Sequence, residues 1–369
     1  MKKVLFVATV VKKHINAFHI PYLEWFKKNG YETYVCAKND YGSKQECVTP
    51  FCDKYYNLPF ERSPFKLNNI RTYKALKKII ENEKFEVIHC HTPVGGVLAR
   101  LASINARKKG TKIIYTAHGF HFFKGAPLRN WLLYYPIERL MANFTDVLIT
   151  INKEDFHNAQ KFNAKKIVYL PGIGVDIKKF KIKANKDVKR NELGIKKEQT
   201  FILSVGELTR RKNHEVVIKA LGMLNGGEFT YVICGQGEKA EYLKKLAKSL
   251  NVDVKLVGFR TDIAELCHSA DLFVFPSLQE GLPVALMEAM ATGLPIICSN
   301  IRGNTDLIDE CKGGYFVNPK DIRGIAEQIN KLAMNKDLRV ALGAYNTEAI
   351  KKFDINNVKP IMENIYKSL

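Results

Sequence analysis

The run Phe275-Pro-Ser-Leu-Gln-Glu280-Gly-Leu-Pro-Val-Ala-Leu-Met-Glu288-Ala-Met-Ala-Thr-Gly293 decides the fold class. Residues 271–275 are a short apolar stretch closed by Pro276, which reads as a buried strand. Gly281 turns the chain. Pro283 suits the first turn of a helix, where its missing N–H costs nothing. Residues 284–291 read as that helix, stopped by Gly293 and Pro295. Glu280 therefore lies in the loop before a helix, and Glu288 lies within it. A helix start offers free N–H groups and a partial positive charge, a seat for phosphate. Carboxylates accept hydrogen bonds from hydroxyls. Two carboxylates flanking an anion seat point to a ligand that carries both a diphosphate and sugar hydroxyls.

Electrostatics sharpen this reading. A bare carboxylate ~4 Å from a phosphate is repelled by about 4 kcal/mol at an effective dielectric of ~20. A helix end returns only ~0.3–2 kcal/mol. Either the carboxylates face hydroxyls, or nearby cations neutralise the site. The run Gly206-Glu-Leu-Thr-Arg210-Arg211-Lys212-Asn-His214 supplies such cations. It follows the apolar stretch 200–205, so it sits at the carboxyl end of a strand, where open α/β sheets bind ligands.

Outward from these two runs, strands and helices alternate in two series. Residues 4–9, 32–37, 87–91, 112–117, 147–151 and 168–170 read as strands. Helical periodicity covers 19–28, 69–82, 95–107, 128–141 and 153–162. Residues 171–176 read as a hinge, and 178–197 as a polar, lysine-rich segment with weak periodicity. Strands resume at 201–205, 231–234, 254–256, 272–275 and 296–298, and helices close the chain at 321–334, 338–351 and 355–368. Such alternation predicts two doubly wound parallel-sheet α/β domains, Rossmann-like, facing across a cleft. The expected boundaries are 1–172 and 173–354, with 355–369 packing back on the first domain.

Composition bounds the function. The chain has 369 residues, 46% of them hydrophobic, ample for two domains. No run of 18 apolar residues occurs, so no spanning helix is expected. Residues 1–10 read as a first strand instead of a signal peptide: Lys12, Lys13 and His14 follow, with no small-residue cleavage site. Eight scattered cysteines without a C-x-x-C suit a reducing cytosol. His89-Cys90-His91 is no metal motif, because neighbours on a strand point to opposite faces. The formal net charge is +21, and residues 61–130 hold fourteen Lys/Arg against four Asp/Glu. A surplus of that size attracts polyanions, here an anionic membrane face in preference to nucleic acid, for which no motif is present.

With these residues in place, the chain resembles the GT-B-fold, family 4 retaining glycosyltransferases, most closely their capsule and exopolysaccharide subgroup. The resemblance covers nearly the whole chain. It rests on Glu280-Gly-Leu-Pro…Leu-Met-Glu288-Ala-Met-Ala as the family's E-x7-E motif, on Gly206…Lys212-Asn213 before a helix, and on Tyr115-Thr-Ala-His118-Gly-Phe. His91-Thr-Pro…Gly95-Gly96 and Leu132-Leu-Tyr-Tyr-Pro136-Ile-Glu fit the polysaccharide subgroup.

The resemblance implies roles. Residues 1–172 would take the acceptor and 173–354 the nucleotide sugar. Glu288 would bind the donor ribose, and Glu280 the donor sugar near the reacting carbon. The amides at Gly281 and Leu282, beside Pro283, would cradle the donor. Lys212 would hold the diphosphate, and His118 would contact the sugar. Gly206, Gly235 at the end of a strand, and Arg260 bordering the base complete the donor set. His14, His19 and His91 are the acceptor-binding candidates. The family's arginine directly after the glycine is Glu207 here, so Arg210 or Arg211 replaces its charge. The first strand leads into Val10-Val-Lys-Lys-His14 in place of a Gly-Gly loop. No Asp-x-Asp occurs, which favours a metal-free site in which cations and helix amides stabilise the leaving group.

The expected enzyme is a retaining, metal-independent hexosyltransferase. It would move a hexose or N-acetylhexosamine from a nucleotide-diphosphate sugar, UDP-linked, to a polyprenyl-diphosphate-linked saccharide. It would work in the cytoplasm, peripherally at the inner face of the cell membrane. Two other readings stand beside it. A UDP-sugar 2-epimerase of the same fold needs no acceptor, and the Glu280–Glu288 segment argues against it. A polyanion-binding protein without chemistry rests on charge alone.

Overall fold

The computed structural model describes residues 1–182, 184–224 and 228–369. The chain divides into two units, Met1–Ile173 with Val358–Leu369, and Gly174–Asn357. The first holds a seven-stranded sheet: β1 (Lys2–Val10), β2 (Tyr31–Lys38), β3 (Lys54–Asn57), β4 (Val87–His91), β5 (Lys112–Ala117), β6 (Val147–Thr150) and β7 (Lys166–Tyr169). The order is β3-β2-β1-β4-β5-β6-β7 and every pairing is parallel. Side chains alternate across the sheet. Leu5 and Val7 enter a core on one face with Ile88, Cys90 and Ile113, while Val4, Phe6 and Ala8 enter a second core on the other. Helix Ile355–Lys367 closes that second core. Its Val358, Met362, Ile365 and Tyr366 form one apolar stripe at helical spacing.

The second unit holds β8 (Thr200–Val205), β9 (Phe229–Cys234), β10 (Asp253–Gly258), β11 (Leu272–Phe275), β12 (Ile296–Ser299) and β13 (Gly314–Val317). Their order is β10-β9-β8-β11-β12-β13, again all parallel. In each sheet the strand order reverses once, between β1 and β4 and between β8 and β11. Such reversals open a crevice at the carboxyl ends of the strands.

The structure departs from the sequence reading in four places. β3 and β13 were not expected; β3 is an edge strand whose residues are exposed or half-buried, so no apolar run marks it. The helix expected over 95–107 is two helices, Pro93–Ala102 and Ile104–Lys108. Ser103 separates them, and its hydroxyl donates back to the Ala99 carbonyl at 2.6 Å, a bond that bends helices. Residues 178–197 contain a short helix, Lys186–Glu192, capped by the Asn185 side chain.

Candidate active site

In the second unit β8 runs out into loop 206–213 and β11 into loop 276–283, the two sides of that sheet's reversal. The loops are laced together. Leu278 N–H donates to the Arg211 carbonyl at 2.8 Å. Asn213, in the left-handed region at φ 58°, donates from its amide to the Pro276 and Pro319 carbonyls at 3.1 and 2.7 Å. This lacing presents Lys212 and Arg211 to one oxygen of Glu280, at 2.8 and 2.9 Å. Arg211 also donates to the Gln279 carbonyl, and Arg302 to the Glu280 carbonyl, at 3.1 Å each. The Glu280 and Lys212 side chains are only 9% and 11% exposed. Burial pulls the Lys212 ammonium down from its usual value, against the pull of Glu280. Lys212 also stands 4.5 Å from the centre of the Phe275 ring. The trio of one carboxylate and two cations carries one net positive charge, with the exposed Glu207 carboxylate 3.9 Å from Arg211 and the Arg302 guanidinium beside it.

Glu280 does not cap the following helix, Val284–Ala291, which has no side-chain cap. Glu288 sits in that helix, half-buried, and its carboxyl group has no hydrogen-bond partner among the described residues. Burial pushes its carboxyl up to about 7. The Gly281 and Leu282 amides ahead of buried Pro283 likewise meet no protein acceptor among the described residues. Gly206 and Gly235 bring two strand ends into backbone contact. A Cβ on Gly235 would lie 1.9 Å from the Gly206 carbonyl oxygen. Gly303, at φ +82°, lets a third loop approach, since a Cβ there would lie 2.3 Å from the Gly281 carbonyl oxygen.

The structure thus brings together Gly206, Arg211, Lys212, Glu280, Gly281, Leu282 and Pro283. Arg210 is exposed and joins no ion pair among the described residues. Arg260, expected to border a donor base, lies in an ion-pair cluster. Its guanidinium is occupied by Asp262 at 2.7 Å and Glu192 at 2.7 Å, in a cluster that Lys189 joins.

The first unit's reversal is built differently. His14, in a π-type turn over Val11–Asn16, and His19 follow β1; His91 ends β4; His118 follows β5. Because β1, β4 and β5 are neighbours, the four rings converge. His19 stacks on His91 at 3.7 Å between centroids, and His14 meets His118 edge-on at 4.6 Å. One His91 nitrogen lies 3.4 Å from one of His118. Burial holds His14, His19 and His91 well below the usual imidazole value and His118 at about 4. His14 Nε2, both His19 nitrogens and His91 Nε2 are buried without a partner. Each ring offers a nitrogen within 4.8 Å of the others, a spacing that neutral imidazoles can use for a metal ion or for oxygen ligands. His89 shares the His91 face and bonds Tyr366 and Thr116 at 2.9 and 2.8 Å, while Cys90 enters the opposite core.

Sequence reading does not single out Arg302, and it gives Asn213 and His214, which lie in the quoted runs, no role of their own. Arg302 follows β12, and the same strand-end logic that found Lys212 applies to it. His214 begins the helix after Lys212 and bonds the Tyr231 hydroxyl at 3.1 Å; burial, then the Lys212 charge, hold it at about 4.

Comparison with known proteins assigns both units. Residues 3–152 match the family model described as glycosyl transferase 4-like, and residues 185–349 match glycosyl transferases group 1. The chain is 36% identical to a Bacillus subtilis protein named as glycosyltransferase EpsD, over all of this chain and 97% of the relative. It is 31% identical to an Escherichia coli UDP-Gal:α-D-GlcNAc-diphosphoundecaprenol α-1,3-galactosyltransferase, over 78% of this chain and 77% of that one. Among solved structures, Anabaena HepE in complex with UDP and glucose superposes with a TM-score of 0.83 at 19% identity, covering all of both chains. That likeness fixes the GT-B fold.

Proposed function

Because the chain belongs to the group 1 glycosyltransferases, with a glycosyltransferase 4-like first half, we propose that it moves a hexose or N-acetylhexosamine from a UDP-sugar to a polyprenyl-diphosphate-linked saccharide, with retention, during surface polysaccharide assembly. The observation that carries this reading is the pair of unlike carboxylates at the second unit's strand reversal. Glu288 is half-buried and unpartnered, so it lacks hydroxyl donors that a ribose would supply. Glu280 is held by two cations and faces the sugar. Lys212, Arg211 and the Gly281–Leu282 amides receive the diphosphate. As the bond from the anomeric carbon to the diphosphate oxygen breaks, these groups stabilise the charge left on UDP. The acceptor hydroxyl attacks the carbon on the departing face and passes its proton to the leaving diphosphate. His118 contacts the sugar, and His14, His19 and His91 serve the acceptor. The donor and acceptor classes printed for the Escherichia coli relative support the choice of substrates.

In this reading the transfer needs no metal ion, because the excess positive charge comes from side chains. Turnover should be unchanged by excess EDTA; a loss restored by a divalent cation would refute the metal-free step. UDP titration by calorimetry tests the donor assignment, and unchanged affinity in both Glu288→Ala and Lys212→Ala would refute it.

We also propose that the basic first unit binds anionic membrane at its periphery, where a polyprenyl-linked acceptor lies. No helix among the described residues is long and apolar enough to cross a membrane. Lys and Arg near an anionic surface contribute about 1 kcal/mol each, screened within ~8 Å at physiological salt. Co-sedimentation should be strong with anionic vesicles and weak at high salt; equal binding to neutral vesicles would give the charge another purpose.

A further inference from the structure

Beside the four histidines, the first unit contains a cavity of about 450 Å³, in the range that holds a small ligand. Its floor is the β1–β4 reversal, at Thr9 and Thr92. Phe65, Val97, Leu98, Leu133 and Ile137 make its walls apolar. Lys13 and Arg62 stand at its polar end, exposed and without an ion pair among the described residues. His14 also lines it. That residue is 8% exposed, and its ring Nε2 has no partner among the described residues. Glu138 at the floor does not offset these cations, because Arg100 and the Tyr115 hydroxyl hold it at 2.8 and 3.0 Å.

Two further features mark the polar end. Thr92 has φ 64°, a strained backbone for a β-branched residue, held by its hydroxyl against that of Thr9 at 2.6 Å. It starts helix Pro93–Ala102 without capping it, so the Val94 and Gly95 amides meet no acceptor among the described residues. Exposed apolar side chains occur on the segments that supply the apolar walls. Phe65, Leu67, Leu128 and Leu132 are each more than 70% exposed. Phe65 lines both this cavity and a neighbouring apolar hollow that reaches Leu67, while Leu128 and Leu132 lie on the helix that supplies Leu133 and Ile137.

We propose that this cavity is a polyprenyl diphosphate site. The diphosphate lies at the start of helix Pro93–Ala102 between Lys13, Arg62 and His14, and the first isoprene units run along Val97, Leu98, Leu133 and Ile137 toward the exposed apolar group. Two cations, an imidazole and free helix amides match several phosphate oxygens at once. The apolar walls at Val97, Leu98, Leu133 and Ile137 suit an isoprenoid chain better than the hydroxyls of a free sugar phosphate. The inference rests on the lipid-linked acceptor class proposed above and assigns it a place.

The test is calorimetry of the full chain, without nucleotide sugar, against farnesyl diphosphate, inorganic pyrophosphate and farnesol. Farnesyl diphosphate should bind at least tenfold more tightly than either of the others. Val97→Phe and Leu133→Trp fill the cavity from two different helices. Each should weaken farnesyl diphosphate at least tenfold and leave pyrophosphate within twofold. The Lys13→Ala/Arg62→Ala double variant should weaken both diphosphates at least tenfold. Farnesyl diphosphate binding no tighter than pyrophosphate or farnesol would overturn the proposal. So would unchanged affinity in a cavity-filling variant that keeps the parental melting temperature. A parallel UDP titration keeps the readings apart: failure to bind UDP sinks the donor assignment and leaves this result standing.

Discussion

The two strand-order reversals of this chain solve the problem of a polar crevice in opposite ways. At the second, between β8 and β11, charges are matched: Glu280 is held by Lys212 and Arg211, with Arg302 on its backbone. At the first, between β1 and β4, polarity is kept neutral. Four imidazoles pack against each other, with no carboxylate bonded to any of them among the described residues. The same topology thus gathers paired charges in one unit and, in the other, a buried set of neutral imidazoles beside a largely apolar cavity with Lys13 and Arg62 at its edge. Fold alone does not decide which ligand a reversal takes; the side chains at the strand ends do.

The sharpest way to break this comparison is acid. A histidine held below its ordinary value binds more protons when unfolded. Its contribution to stability is full above pH 6.5 and is lost as pH falls toward the folded value. His118 at about 4 and His89 at about 3 define that window, and His14, His19 and His91 shift the same way. Each group contributes about 1.4 kcal/mol per pH unit within it. In the second unit His214, at about 4, shifts the same way, but Glu288, raised to about 7, has the opposite sign and favours the folded state as pH falls. Hydrogen exchange corrected for intrinsic rates should show β1, β4 and β5 losing protection between pH 6.5 and 5, ahead of β8 and β11. Simultaneous loss in both units would erase the contrast.

Next in size is the chemistry of Glu280. Replacing it with Gln keeps the shape but removes the charge that Lys212 and Arg211 neutralise. If it acts on the sugar in the transition state, turnover should fall ~10²–10³-fold, the range seen on removing one electrostatic stabiliser, while UDP affinity changes much less. Near-normal turnover would count decisively against the role. Glu288→Ala should do the reverse. It should weaken UDP by an order of magnitude or more, because losing a charged hydrogen-bond partner costs about 1.5–3 kcal/mol.

These contrasts were unevenly legible in the sequence. The strands that flank both reversals are short apolar runs, and the Pro, Gly and carboxylate punctuation around 275–293 marks its strand, turn and helix. β3 was invisible because an edge strand needs no apolar run. The pairing of Arg211 with Glu280 joins residues 69 apart and depends on how two loops are laced, which no local pattern states. Arg260 lay at a strand end like Lys212, yet two nearby carboxylates claim its guanidinium. The histidines come from three strand ends, so only the order β1-β4-β5 brings His14, His19, His91 and His118 together. Spacing along the chain excluded a metal motif at residues 89–91 and could not show the grouping across strands.

The smallest effect separates the two carboxylates themselves. Glu280 keeps its place through cations, whereas burial alone raises Glu288 to about 7. A ribose hydroxyl donates best to an ionised carboxylate, so binding the donor must drive off whatever proton Glu288 carries. Affinity for UDP should therefore rise with pH, roughly threefold between pH 6.5 and 7.5 for a group that is half ionised near 7. The terminal phosphate of UDP titrates in a similar range, with a second pKa near ~6 for phosphate esters, and would add its own slope. Glu288→Gln separates the two, because it keeps the ligand's titration and removes the protein's. The ratio of parental to variant affinity should carry the threefold rise. Calorimetry in buffers of different ionisation enthalpy should show proton release on UDP binding at pH 6.5 that is larger for the parental protein. Equal slopes and equal proton release in both proteins would place the ribose elsewhere and leave Glu288 a buried acid without a ligand.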